Sequence, residues 1–281
     1  LDNDFGLGIT VINVNATAVA ASGDTVIAGT YGTLTISADG SYSYLVDPAS
    51  SAAQELKDGE TLTETFTYTA ENAFNNTENS NLTVTINGVN DVAVVTGDDT
   101  AEVTEDAGNP PFDLGILVVN DADAGESSFQ AGNYAGTYGT VALTALGSYT
   151  YTLNNSDLLV QSLGEGITAT DTVTIQAFDG STHNVTVTIT GVNDVAVVGG
   201  DDQASVTEDD DPLTLTDAGI LTVADVDTGE AEFNPETIVG TYGSLTIDAL
   251  GNWIYSADNT PLVIQQLGAT SSLTETITVS T

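Results

Sequence analysis

The chain has no cysteine, no methionine and no arginine, and Lys57 and His183 are its only basic side chains. Without cysteine there is no disulfide, no CxxC zinc site and no thiol nucleophile. With a single Lys+Arg, nucleic acid is excluded as a partner, because a polyanion is bound by Lys and Arg that release its counterions. Anionic membrane surfaces repel the chain for the same reason. No apolar run reaches the ~18 residues of a membrane-spanning helix, so direct membrane insertion is not expected. Neither an initiator methionine nor a signal peptide stands at Leu1, from which we expect an internal piece of a longer or processed chain.

Acid is what the sequence has in excess. Its 281 residues include 41 Asp+Glu, for a net charge of −40. Charge of one sign at this level suits either a disordered chain or a folded one that neutralises its carboxylates with cations. Composition favours folding. Hydrophobic residues make up 41% of the chain, and Val, Ile, Thr and Tyr, all good strand formers, are abundant.

The chain repeats itself. Gly29-Thr30-Tyr31-Gly32 recurs as Gly136-Thr137-Tyr138-Gly139 and as Gly240-Thr241-Tyr242-Gly243. Gly88-Val89-Asn90-Asp91 recurs at Gly191–Asp194, Val103-Thr104-Glu105-Asp106 at Val206–Asp209, and the loop Asp121–Glu126 at Asp225–Glu230. All these markers share a period of 103–107 residues. Solenoid repeats are shorter, ~20–50 residues, whereas one β-sandwich takes about 100. We therefore expect three units, 1–90, 91–193 and 194–281. The first lacks its opening strand and Glu-Asp turn, and the third reaches Thr281 before any counterpart of Val185–Ile189.

Inside a unit the pattern is β. Tyr149, Tyr151 and Leu153 alternate with Ser148, Thr150 and Thr152, the period of a half-buried strand. Gly147, like Gly40 and Gly251, supplies the positive φ of a short hairpin. One helical turn is expected at Asp157–Leu163, stopped by Gly164, with equivalents at Ala52–Leu56 and Leu262–Leu267. The fold expected is all-β: tandem antiparallel β-sandwiches of immunoglobulin-like or cadherin-like type.

The acids are not evenly spread. Residues 88–126 hold 10 of the 41 and residues 191–230 hold 11, roughly twice an even share. Packed carboxylates without Lys or Arg either raise their pKa or bind a cation. Hard oxygen ligands, with no cysteine and almost no histidine, select Ca²⁺ or Mg²⁺, and many carboxylates from several segments suit the 6–8 oxygens of Ca²⁺. At the first junction we expect Asn90, Asp91, Glu105, Asp106, Asp121, Asp123 and Glu126 to converge. At the second we expect Asn193, Asp194, Glu208, Asp209, Asp225, Asp227 and Glu230. Glu64, Asp171 and Glu275 form a further set, each starting a strand in phase with its apolar column. Such a carboxylate needs a backbone cap or a second, intradomain cation, and the cap is preferred.

The pieces Val-Thr-Glu-Asp, Gly-Thr-Tyr-Gly, Gly-Ser-Tyr-x-Tyr, Phe178-Asp179-Gly180 and Val-Thr-Ile-Thr-Gly-Val-Asn-Asp resemble VCBS repeats. These are cadherin-like and immunoglobulin-like modules of long bacterial RTX-type adhesins. The resemblance spans nearly the whole chain and is fullest in the second unit. It implies calcium-stiffened linkers, export by a type I route, and display on the cell surface or in a biofilm matrix. The partners it implies are neighbouring repeats of one long chain.

No catalytic constellation stands out. His183 has no nucleophile beside it, Trp253 takes a core tyrosine position, and the acids recur at linkers where a glycosidase would need one pair in a cleft. Two non-enzymatic readings follow: a calcium-stiffened extender of a secreted or surface adhesin, or a subunit of an extracellular filament in which identical chains meet.

Overall fold

The computed structural model describes residues 8–208 and 213–281. In the first unit, strands β1 (Thr10–Val14), β2 (Thr17–Ala18), β3 (Asp24–Ala28), β4 (Gly32–Ser37) and β5 (Tyr42–Val46) precede a single turn of helix, α1 (Ser51–Gln54). The long hairpin of β6 (Thr61–Glu71) and β7 (Thr77–Asn87) follows. The sheets β2-β1-β6-β7 and β3-β4-β5 close on Val11, Val14, Ile27, Leu34, Ile36 and Phe66.

The second unit is the fullest. Its strands are β8 (Val94–Gly97), β9 (Thr100–Thr104), β10 (Phe112–Asn120), β11 (Gly132–Ala135), β12 (Gly139–Leu143) and β13 (Ser148–Leu153), then α2 (Leu158–Gln161), β14 (Thr168–Gln176) and β15 (Thr182–Thr190). A five-stranded sheet, β11-β12-β13-β10-β8, faces a three-stranded one, β14-β15-β9. All pairings are antiparallel except one: β9 runs parallel to β15, with Thr100 opposite Thr186 and Thr104 opposite Thr190. The alternation read from the sequence fills the interior with Tyr149, Tyr151, Leu153, Val173, Ile175, Val185, Val187 and Ile189. Each such apolar side chain taken out of water stabilises the fold by about 1.5–3 kcal/mol.

The third unit has one five-stranded sheet of β16 (Val197–Gly200), β17 (Thr214–Ala224), β20 (Asn252–Asp258), β19 (Gly243–Ile247) and β18 (Glu236–Val239), followed by α3 (Leu262–Gln265). Residues 273–281 alternate in burial but pair with no strand among the described residues, although Val279 packs on the core of Leu221, Phe233, Ile247 and Trp253. A ladder needs a partner, and the strand β15 that pairs with β14 in the second unit has no counterpart among the described residues. The architecture is thus a tandem of antiparallel β-sandwiches.

The hairpin glycines behave as expected. Gly147 has φ +88°, and a Cβ there would collide with the Leu117 carbonyl, so two independent constraints exclude other residues. The helical turns also form, and the Asp157 carboxylate caps α2 by accepting from the Leu159 N–H at 2.9 Å. Tyr149 and Trp253 are core residues. Tyr42, at the same place in the first unit, is 56% exposed. In the second and third units a glycine of the adjacent strand, Gly115 or Gly219, lies on the ring, whereas β5 has no such neighbour among the described residues.

The strand-start carboxylates are caps. Asp171 is fully buried and accepts from the N–H groups of Thr137, Tyr138 and Gly139 at 2.8, 3.0 and 3.1 Å and from the Tyr151 hydroxyl at 2.9 Å. Glu64 accepts from Thr30 N–H and Tyr44 OH, and Glu275 from Thr241 N–H, Tyr242 N–H and Tyr255 OH. This explains the recurring Gly-Thr-Tyr-Gly. It is a turn whose amides face a buried carboxylate, and a Cβ on its first glycine would strike that carboxylate in all three units.

Candidate metal centre

Both junctions are built on the same backbone frame. At the second, Asp227 is 2% exposed and its Oδ2 accepts the Asp194 N–H at 2.7 Å. The Asp227 N–H in turn donates to Asp225 Oδ1 at 2.9 Å. The i, i+2 pair is therefore a folded loop whose second carboxylate is turned inward against the linker. The loop is tied to the preceding unit by Thr228 N–H donating to the Ser162 carbonyl at 3.1 Å. The first junction repeats each element. Asp123 is 1% exposed and accepts from Asp91 N–H at 2.8 Å. Its own N–H donates to Asp121 Oδ1 at 2.9 Å. Ala124 N–H donates to the Glu55 carbonyl at 3.1 Å.

Glu105 and Asp106 depart from the sequence expectation. They were expected with Asn90 and Asp91, yet the structure places them at the second junction. Glu105 is 1% exposed, and its Oε1 accepts the Val192 N–H at 3.0 Å. Gln161 Nε2 donates to Glu105 Oε2 at 3.3 Å, and Asn155 Nδ2 to Asp106 Oδ1 at 2.6 Å. The cause is the parallel pair. Because β9 runs alongside β15, the two strands end together, and the residue after β9 lies where β15 meets the next linker. By register Glu208 is the counterpart of Glu105 one unit on, and none of the described hydrogen bonds of Asn193, Asp194, Asp225 or Asp227 is to Glu208. Asp209 lies outside the described residues.

Charge at the second junction is crowded. Burial pushes the Glu105 carboxyl up, against the Val192 N–H that lowers it, and Asp106, Asp194 and Asp227 push it further up. Asp194 is also raised, by burial first and then by Asp227, Asp106 and Asp225. Carboxylates from both sides of the linker thus feel one another. Asp194 Oδ2 and Asp227 Oδ1 are buried with no hydrogen-bond partner, as are Asp121 Oδ2 and Asp123 Oδ1 at the first junction. Among the described residues no group of three or more His, Cys, Asp or Glu is placed so that it could hold a metal ion. What fits a hard cation is the chemistry of the donors: inward carboxylate oxygens left without a hydrogen-bond partner. Glu230 is exposed, and Asn193 directs its Nδ2 at the Asp194 carbonyl, as Asn90 does at Asp91.

The first junction contains groups that sequence reasoning missed. Asp179, in the Phe-Asp-Gly turn between β14 and β15, accepts the Ala93 N–H at 3.1 Å. Burial raises its carboxyl, but Ser181, the Ala93 amide and Asn90 outweigh burial and hold it below the usual range. Lys57 Nζ stands 3.4 Å from Glu126 Oε1. A lone lysine following a helical turn carries no sequence signal for this, but alignment of the units would have shown Lys57 where Gly164 and Gly268 stand.

A family model described as a bacterial cadherin-like domain matches residues 90–191. A search of curated proteins finds no match. Among solved structures, the chain is similar to PcdhgB3 EC1-4 (13% identity, TM-score 0.41, covering 84% of this chain and 57% of that one). It is also similar to human CDH23 EC21-23 (17% identity, TM-score 0.40, 91% and 80%). A Ca²⁺-stabilized adhesin of an Antarctic bacterium matches at 18% identity and TM-score 0.22, over 90% and 57% of the two chains. The chain spans 57%, 39%, 51% and 60% of the length of four protocadherin structures that it matches.

Proposed function

We propose that the chain is a set of calcium-stiffened extender repeats of a bacterial surface adhesin, with units 1–90, 91–193 and 194–281. The observation that carries this is the second junction. There Glu105 and Asp106 of one unit, Asp194 of the linker and Asp225 and Asp227 of the next come together with two orphaned buried oxygens and no basic side chain. Those residues, with Asn193 and Glu230 at the rim, would hold the ion. At the first junction Asn90, Asp91, Asp121 and Asp123 are the corresponding set, with Glu126 beside them against Lys57. The match of residues 90–191 to a bacterial cadherin-like domain supports the reading. Bound Ca²⁺ supplies two positive charges and ties ligands across the hinge. The role of the chain is mechanical, without catalysis, and its place is outside the cell.

Small-angle scattering with and without Ca²⁺ tests it. The expected result is a longer, more rod-like particle with Ca²⁺ and a higher melting temperature. Equal maximum dimension and equal melting in Ca²⁺ and EDTA would overturn it. The filament reading draws on a different observation. Phe112, Leu114, Ile116 and Val118 alternate along the outer face of β10 at 61%, 61%, 63% and 50% exposure, an apolar row suited to lateral contact. A concentration-dependent mass in light scattering would favour it.

A further inference from the structure

The one basic residue in a chain of net charge −40, apart from a histidine, sits at a junction between units. Lys57 follows α1 and pairs with Glu126 of the next unit at 3.4 Å, the two side chains being 31% and 11% exposed. Glu126 is buried as a residue, whereas its counterpart Glu230 is exposed. The counterpart of Lys57 is Gly164. A Cβ built on Gly164 would stand 2.8 Å from Glu230 Oε1 and 4.0 Å from Asp227 Cβ, so the same site at the second junction looks at the same carboxylates with no cation on it. The surrounding frame is shared, since Ala124 N–H to Glu55 and Thr228 N–H to Ser162 are the same contact one unit apart.

We infer that Lys57 is a tethered counter-ion of the first junction, which takes Glu126 out of the calcium-binding set and leaves the two junctions with unequal demand for Ca²⁺. This rests on the calcium reading above for the ion's identity, but the pairing itself does not. A covalently supplied ammonium arrives without the translational cost of a free ion. It also repels a divalent cation at the adjoining carboxylates. Lys57 therefore acts in opposite directions in the two conditions. It steadies the first junction when Ca²⁺ is absent and weakens Ca²⁺ binding there when it is present. The second junction has no such buffer and follows calcium alone.

The test uses the full chain. Because it has no cysteine, single cysteines can be placed at exposed Ser43, Thr172 and Thr222, one per unit, and distance distributions read across each junction with paired labels. Lys57→Met keeps the stem and removes the charge, and Gly164→Lys installs it at the second junction, where the clash is with the movable end of Glu230. In EDTA, Lys57→Met should broaden the first distribution and Gly164→Lys narrow the second. In a calcium titration the wild type should show two classes of site. Lys57→Met should tighten the weaker class by on the order of tenfold, and Gly164→Lys should weaken the stronger. In a Glu126→Gln background the Lys57→Met effect in EDTA should vanish. Unchanged distributions in EDTA for both variants would overturn the inference, whatever calcium does. Absence of any Ca²⁺ binding would instead overturn the calcium reading, with the EDTA distributions still deciding the role of Lys57.

Discussion

The two junctions share a skeleton and differ in charge. In each, an inward aspartate receives the linker amide (Asp123 from Asp91 at 2.8 Å, Asp227 from Asp194 at 2.7 Å) and is itself held by a partner two residues earlier. At the second, where Gly164 stands in place of Lys57, burial and the surrounding acids raise the Glu105 and Asp194 carboxyls. The first has Lys57 set against Glu126. A hinge frame made of backbone hydrogen bonds can therefore be reused while the side chains around it set how much positive charge must come from solution.

The largest expected effect would abolish the contrast altogether. Asp171→Asn leaves three backbone amides and a tyrosine hydroxyl facing a side chain that presents only one good acceptor, at a cost of about 3 kcal/mol or more. Because the second unit contributes to both junctions, its melting in differential scanning calorimetry should drop and take both with it. A variant as stable as wild type would refute the cap.

Calcium removal comes next. A ligand held only by the native state adds about 2.7 kcal/mol at a hundredfold excess over Kd. EDTA should lower the melting temperature accordingly. Asp123→Ala and Asp227→Ala should each reproduce the chelator at one hinge only, as read by label distances across that hinge. If either variant loosens both hinges equally, the junctions are not independent.

Glu105→Gln sharpens the comparison with a smaller effect. It should reduce calcium affinity at the second junction and leave the first unchanged. Without calcium it should stabilise the second slightly, by about 1 kcal/mol, because one of several crowded buried charges is gone. An effect confined to the first junction would return Glu105 to its sequence neighbours at residues 90 and 91.

The smallest effect is acid softening away from the junctions. Burial raises the Glu64 and Glu275 carboxyls, but their tyrosine and amide donors outweigh burial and hold both below the usual carboxylate range. A carboxyl depressed in the folded state contributes its full stability above the unfolded value and loses it as pH falls through the folded one. The first and third units should thus soften below about pH 4.5, seen as earlier thermal loss of the β circular dichroism signal. Glu64→Gln should flatten that dependence in the first unit.

Much of this was legible in the sequence. Strand alternation, hairpin glycines and the helical turns needed only local periodicity, and the caps at Glu64, Asp171 and Glu275 followed from their phase with the apolar columns. The site was legible in its membership but not in its partition. Glu105 follows the 90/91 linker closely in sequence, yet β9 carries it to the far end of the sandwich, because its partner is β15 and the pairing is parallel. Strand direction within a sheet is a long-range property that no local pattern encodes. Lys57 was hidden for a related reason: its meaning lies in facing Glu126, which belongs to a different unit.

The parallel pair also determines how the second unit would bear tension. A pull on the chain enters ahead of β9 and leaves after β15. These two strands, opposed from Thr100–Thr186 to Thr104–Thr190, would be drawn lengthwise past each other. In that direction the ladder bonds share the load and must break together, whereas a hairpin pulled from its open end surrenders them one at a time. Glu105 stands at the exit end of this clamp, on Val192. An ion seated there would lie beside the point where stress passes from one sandwich to the next.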